Sequence, residues 1–304
     1  MRAIVFEEFG GPEVLRVSET AAVPSPGPGQ IRVQVKAAGV NQLDHKIRSG
    51  VLNQLFPTEL PAIPGGEFSG IVDALGEGVT HAAIGDEVLG WTETGAYAEY
   101  AIAGTVVPKP EGLGWREAAA LPGGTETAHR VLRELGIERG ETLLLHGAAG
   151  VVGSMAVQFA VERGATVIGT ASAANHDFLR GLGAHPVAYG DGLAERVREV
   201  TGGKDVDAVF DAAGQGVLPL SVELRGGTTE RIVTIADLGA REHGVAFSRG
   251  EGEPIGRFLA EDARRVAAGE LTVRIADAFP LKDAEAAQRR SEAGHAKGKL
   301  LLVP

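Results

Sequence analysis

The segment Thr142–Ser172, TLLLHGAAGVVGSMAVQFAVERGATVIGTAS, constrains this chain more than any other part of it. It reads as an apolar strand, a turn of small residues, an amphipathic helix, Gly164 and a second apolar strand. That order is the signature of a parallel βαβ unit. Ala148, Gly150 and Gly153 occupy the three small positions of a dinucleotide-binding fingerprint, with Gly147 just ahead of them. Small residues let the backbone turn sharply and let a diphosphate approach the main chain. The first N–H groups of the helix, at Val151, Val152 and Gly153, together with its dipole, then face the anion. The alternative is a plain strand-to-helix turn in an α/β core.

Around this unit the chain alternates strand and helix. Candidate strands are Thr142–Leu145, Thr166–Thr170, Pro186–Tyr189, Ala208–Asp211, Arg231–Ile235 and Val245–Ser248, and helical segments Val152–Arg163, His176–Leu182 and Leu193–Thr201 separate the first four. Such alternation predicts right-handed crossovers and a doubly wound parallel sheet covered on both faces. The first ~115 residues differ: short β-type runs (Ala3–Phe6, Ile31–Ala38, Gly70–Leu75, Glu87–Leu89, Tyr97–Ile102) lie between Pro- and Gly-rich turns, which predicts a small barrel-like β domain. The tail reads as a helix over Ile255–Gly269, a strand Val273–Phe279, a helix Leu281–Ala293 and a strand Lys299–Val303. It is expected to pack back onto the N-terminal domain. At 304 residues two domains are expected.

The net charge of −11 disfavours nucleic acid and anionic membranes as partners. The absence of cysteine removes disulfides, thiolate catalysis and cysteine-ligated zinc. No apolar run approaches the ~18 residues of a bilayer span, and MRAIVFEEFG lacks the pattern of a secretory signal. A cytoplasmic protein is expected.

Met1–Gly50, PGGEFSGIV at 64–72, GDEVLGW at 85–91, GAYAEYAIA at 95–103, LPGGTETAHRVL at 121–132, HGAAGVVG at 146–153 and GHAKGKLLLV at 294–303 together resemble the medium-chain dehydrogenase/reductases. Within them the chain is most similar to the zinc-free quinone oxidoreductase (zeta-crystallin-like) branch. The resemblance implies an α/β protein with a doubly wound parallel Rossmann sheet, NADP-binding, over 116–265. It also implies a GroES-like β-barrel catalytic domain over 1–115, completed by 266–304. Zinc-dependent members hold the metal with a Cys near the position of Asn41–Asp44 and a His in a GHE triplet. Here the triplet is Gly65-Gly66-Glu67, so no zinc is expected.

NAD-preferring sites place an acid about 20 residues past the glycine turn. The stretch Gly169–His176 holds none, which permits NADPH. The resemblance places a Lys where this chain has His176, a side chain only partly charged near neutrality. Ser172, Asn175 and Tyr189 are candidates for neutral hydrogen bonds to a 2′-phosphate, and NADPH is expected over NADH. The alternative makes Ser172 and Asn175 a helix cap and Tyr189 a core edge. By resemblance, Thr127 lies near the nicotinamide ribose and carboxamide, Asn41 faces the nicotinamide, and Lys299 lies near the cofactor or, alternatively, is a solvated charge. Ala213, in the turn after Asp211, borders the ligand crevice, while Asp211 itself caps that turn or meets the ligand.

The implied reaction passes a hydride to a quinone or an α,β-unsaturated carbonyl. Negative charge developing on the acceptor oxygen needs donors, and Asn41 and Lys46 are the catalytic candidates. The branch often carries tyrosines near positions 46 and 52, where this chain has Lys46 and Leu52, so the acceptor stays open. The alternative makes Lys46 and His45 a solvated helix face, Asp44 is expected to make a structural hydrogen bond, and His146 either touches the cofactor or is packed inside. Two other readings stand beside this one: a reductase of an acyl-linked enoyl substrate, and a cofactor-binding module without turnover. The resemblance also implies a homodimer joined at the sheet edge near Val245–Ser248.

Overall fold

A computed structural model describes residues 1–250, 256–294 and 296–304. The chain divides into two compact units, Met1–Gly123 with Ile255–Pro304, and Gly124–Pro254.

The first unit opens with β1 (Ala3–Val5), β2 (Arg16–Ser18) and β3 (Ile31–Val40), followed by helix α1 (Gln42–Arg48), β4 (Glu67–Leu75), β5 (Glu87–Trp91), β6 (Tyr100–Ala103), β7 (Thr105–Pro108) and α2 (Trp115–Ala119). In β3, buried Ile31, Val33 and Val35 alternate with half-exposed Arg32, Gln34 and Lys36, so its first half has one core face. From Ala37 onward both faces are buried, because α2 covers the second: Ala37, Ala119 and Leu301 form a small core there.

Helix α3 (Pro122–Glu134) carries the chain into the second unit. There follow β8 (Thr142–His146), α4 (Val151–Glu162), β9 (Thr166–Thr170), α5 (His176–Gly181), β10 (His185–Val187), α6 (Leu193–Thr201), β11 (Ala208–Asp211), α7 (Leu218–Leu224), β12 (Ile232–Thr234) and β13 (Ala246–Phe247). The sheet runs β10-β9-β8-β11-β12-β13, every pair parallel. The chain winds outward from β8 through β9 and β10, then returns to add β11 on the other side. This reversal at β8 and β11 is the topological switch point at which doubly wound sheets open a crevice. Helix α4 departs from the amphipathic pattern expected of it: Gly153 through Ala160 are all buried. The sheet takes one side of it, while the ring of His129 on α3 stacks on Phe159 and Gly124 packs against Val151.

The chain then returns to the first unit with α8 (Leu259–Ala267), β14 (Ile275–Pro280), α9 (Ala284–Glu292) and β15 (Lys299–Val303). The helix expected from Ile255 begins at Leu259, Ile255 itself lying outside the described residues. Strand β15 pairs antiparallel with the end of β3, Leu301 opposite Gly39, and parallel with β14. The resulting sheet follows β14-β15-β3-β4-β5-β7, with β6 beside the start of β3. Its core joins Ile4, Val33, Phe68, Tyr97, Leu300 and Leu302. Tyr97, expected in a strand, precedes β6 and is fully buried. The unit takes in both α2, which packs on β3 and β4, and α8, which packs on β7, so the division runs at Gly123 and Ile255 where the sequence suggested 115 and 266.

Candidate active site

In the second unit, β8 ends in His146, which is buried with Nε2 3.1 Å from Ser221 Oγ and Nδ1 3.5 Å from Thr170 Oγ1. Burial lowers its pKa to about 4, so the ring is neutral and packed inside. Gly147 follows with φ 74°, and its N–H donates to Thr170 Oγ1 at 3.3 Å. Ala148 donates to the Thr170 carbonyl at 3.2 Å, and Gly150 to the Gly147 carbonyl at 3.0 Å. Gly150 is the N-cap of α4 and offers no side chain, so the helix opens on bare backbone N–H groups. A Cβ on Gly153 would stand 2.8 Å from Ala148 Cα, so only glycine lets the turn close on the helix. This open cradle, with no carboxylate in it, fits a diphosphate. Opposite it, Asp211 accepts from the N–H groups of Ala213 and Gly214, both at 2.9 Å, and from Thr234 Oγ1 at 2.7 Å. Asp211 therefore caps the turn, and half-buried Ala213 packs within contact of Gly147.

At the next strand ends, Ala171 donates to the Val187 carbonyl at 3.0 Å, which brings the outlets of β9 and β10 side by side. Asn175 Nδ2 donates to Ser172 Oγ at 3.2 Å, and His176 Nε2 lies 3.3 Å from the Ala171 carbonyl. Neither Ser172 nor Asn175 makes a side-chain helix cap. Tyr189 lies beyond the end of β10 and is 49% exposed, so it is not a core edge. The loop that carries it is held by Arg196 of α6, whose Nε donates to the Ala188 carbonyl at 3.0 Å and Nη2 to those of Gly190 and Tyr189 at 3.3 and 3.5 Å. Among the described residues no carboxylate pairs with Arg196. Thr127, half-buried on α3, lies 3.3 Å from a Glu126 oxygen and 3.5 Å from Arg130.

In the first unit, Asn41 is the extended residue between β3 and α1, its N–H donating to Asp44 Oδ2 at 2.8 Å. The same oxygen accepts from Tyr97 at 2.9 Å. Burial raises the Asp44 carboxyl to about 6, while those two bonds and the Lys299 charge pull the other way. The Asn41 amide binds two buried groups of opposite charge: Nδ2 donates to Glu67 Oε1 at 2.7 Å, and Oδ1 accepts from Lys299 Nζ at 2.6 Å. Glu67 and Lys299 are directly ion-paired, each only 1% exposed, and the second Glu67 oxygen accepts from the Gly123 N–H at 2.6 Å. One turn along α1, Lys46 is half-buried, burial lowers its pKa, and no described carboxylate pairs with it.

The alcohol dehydrogenase GroES-like domain family matches residues 27–122 and the zinc-binding dehydrogenase family residues 151–240. A 2-haloacrylate reductase of a Burkholderia species is 34% identical over 99% of this chain and 98% of its own. Human quinone oxidoreductase is 32% identical over 100% and 98%. The solved Escherichia coli quinone oxidoreductase, complexed with NADPH, superposes with a TM-score of 0.87 at 31% identity, covering 100% of both chains. The chain belongs to the medium-chain dehydrogenase/reductases, in their quinone oxidoreductase branch.

Within this dehydrogenase/reductase frame, the structure gathers Ala148, Gly150, Val151, Val152, Gly153 and Ala213 around one turn, and Ser172, Asn175, His176 and Tyr189 at one sheet edge. In the other unit Asn41 and Lys299 bond directly to each other and both bond to Glu67. Lys299 is no solvated charge, and His45 and Lys46 are half-buried, so they do not form a solvated face. Sequence reasoning passed over Glu67, Tyr97 and Arg196. For Glu67 the available signal was its opposite charge to Lys299, each standing at the first position of a strand. Among the described residues no three His, Cys, Asp or Glu side chains form a metal-holding group.

Proposed function

We propose that this protein is an NADPH-dependent reductase of quinones or α,β-unsaturated carbonyls that works without zinc. The observation that carries the reading is the uncapped glycine turn at α4, a cradle for the cofactor's diphosphate in a chain whose relatives include reductases of quinones and of a haloacrylate. Val151, Val152 and Gly153 bind the diphosphate through their N–H groups, and Ala148 and Ala213 wall the turn. Thr127, Asn41 and Lys299 serve the nicotinamide end. Ser172, Asn175, His176 and Tyr189 receive the 2′-phosphate, and Arg196, which holds the loop of Tyr189, adds a guanidinium charge to that end of the site. When bound, NADPH supplies the hydride. The chain's own task is to meet the negative charge that grows on the acceptor oxygen. Asn41 Nδ2 has a second N–H to donate, and Lys46 offers an ammonium whose lowered pKa eases proton release. Zinc is not needed: the chain has no cysteine, and Glu67 is spent on Lys299.

A second reading rests on Lys46 in place of an aromatic residue: a cation there suits an acyl-linked enoyl substrate. A pikromycin polyketide synthase component of Streptomyces venezuelae, 35% identical over 94% of this chain though only 8% of its own, favours that direction. We further propose a homodimer joined through β13. The test is titration of the apo protein with NADPH and NADH by fluorescence, followed by NADPH oxidation against a panel of quinones, enones and enoyl thioesters. Tighter NADPH binding and turnover of at least one acceptor class are expected. Binding with no turnover would leave a cofactor-binding module, and no binding would end the proposal.

A further inference from the structure

Glu67, to which no role has yet been given, and Lys299 form a fully buried ion pair across β3, each opening one of the strands that flank it. Burying two charges is costly unless their remaining hydrogen-bonding capacity is met, and a well-packed apolar pair often serves stability as well. Here that capacity is met in a specific way. Glu67 Oε1 takes both Lys299 and Asn41 Nδ2, Oε2 takes the Gly123 N–H, and Lys299 Nζ also reaches Asn41 Oδ1. Room for the carboxylate is kept by glycines: a Cβ on Gly39 would lie 2.7 Å from Glu67 Cγ, and one on Gly123 would lie 2.9 Å from Oε2.

The charges fix which way the Asn41 amide faces. Turned over, it would set its NH₂ against the ammonium and its carbonyl against the carboxylate, two repulsive contacts in place of two charge-assisted bonds. Of the three side chains, only Asn41 is partly exposed. One of its two Nδ2 hydrogens is held by Glu67, and the other has no partner within the trio.

We infer that the Glu67–Lys299 pair is a positioning device for Asn41, presenting that second N–H to the acceptor oxygen that gains charge during reduction. The inference rests on the reductase reading above. A donor fixed before reaction acts on the transition state with no reorganisation, so its loss lowers kcat more than it weakens binding.

The test is a double-mutant cycle with a second, non-kinetic arm. E67Q, N41A and E67Q/N41A are compared for NADPH affinity, acceptor KM and kcat. E67Q is expected to lower kcat by roughly 10- to 100-fold, with KM and NADPH affinity within about threefold of the parent. On the N41A background E67Q is expected to cost no more than about twofold, since both act through one amide. Unchanged kcat in a folded E67Q, or an equal cost with and without Asn41, would overturn the inference. If E67Q does not fold, E67L/K299M removes both charges together and replaces it in the cycle. In the apo protein, the two side-chain amide proton resonances of Asn41, assigned by their loss in N41A, are expected to be well separated. They should move toward free-amide values in E67L/K299M, and resonances that stay put would likewise overturn it. Failure of the parent to oxidise NADPH with any acceptor would sink the reductase reading instead, leaving the amide's anchoring to be judged on the resonances.

Discussion

Single side chains in this protein act through what burial does to their charge. Asp44 titrates near 6 in the fold against an ordinary 3.8, chiefly because it is buried. Between those values the folded chain keeps a proton that the unfolded chain has released, so stability falls as pH rises from about 4 to about 6. D44N cannot titrate and keeps a carbonyl for Asn41 and Tyr97. Denaturant melts at pH 4.5 and 7 are therefore expected to give a wild type that loses up to a few kcal/mol relative to D44N across the window. Arg196 is the opposite case, a cation held, among the described residues, by backbone carbonyls beside Tyr189. Removing its charge in R196Q is expected to weaken NADPH binding about tenfold while NADH binding changes little. Equal losses for both nucleotides, measured by titration of the apo protein, would assign Arg196 to loop support alone.

Among the elements, α4 and the turn before it carry the most. A buried helix that starts without a cap leaves its dipole and N–H groups to whatever sits in front of it. Gly153 is the hinge of that arrangement because its missing Cβ lets α4 close on Ala148. Gly153→Val is expected to push the helix off the turn and abolish binding of both nucleotides, by more than tenfold on titration, without selecting between them. Circular dichroism that shows the sheet and helices intact separates this outcome from unfolding. In the other unit, β15 does the comparable work. Its pairing with the end of β3 sets Lys299 across from Asn41 and Glu67, although 258 residues separate Lys299 from Asn41.

At the scale of the molecule, the two units respond to acid in opposite senses. His146, held near 4 by burial, costs the Gly124–Pro254 unit stability as pH falls from 6.5 toward 4, the range in which protonation of Asp44 favours the other unit. The open edge at β13 bears on assembly. Ser248 spends its N–H on Thr234 at 2.9 Å, so by strand alternation the Phe247 N–H faces outward. Light scattering is expected to report twice the 31.4 kDa of one chain. Phe247→Pro, which removes that donor, is expected to shift the protein toward monomer. A parent that runs at one chain mass at micromolar concentration would end the dimer proposal.

The sequence by itself determined what depends on neighbours along the chain. Hydrophobic period and glycine spacing are local, so the βαβ unit at Thr142–Thr170, the six-stranded alternation and the strand Lys299–Val303 were legible, as was the family. Short elements too brief to show a hydrophobic period were not: β2, β7 and α7 escaped, and Tyr189 fell outside the strand expected to hold it. The tertiary structure alone decided the buried charges. Nothing near Glu67 announces Lys299, and nothing near Lys46 announces that it is half-buried. A charge's energy depends on which dielectric surrounds it and which opposite charge reaches it, and both are fixed only once distant strands meet.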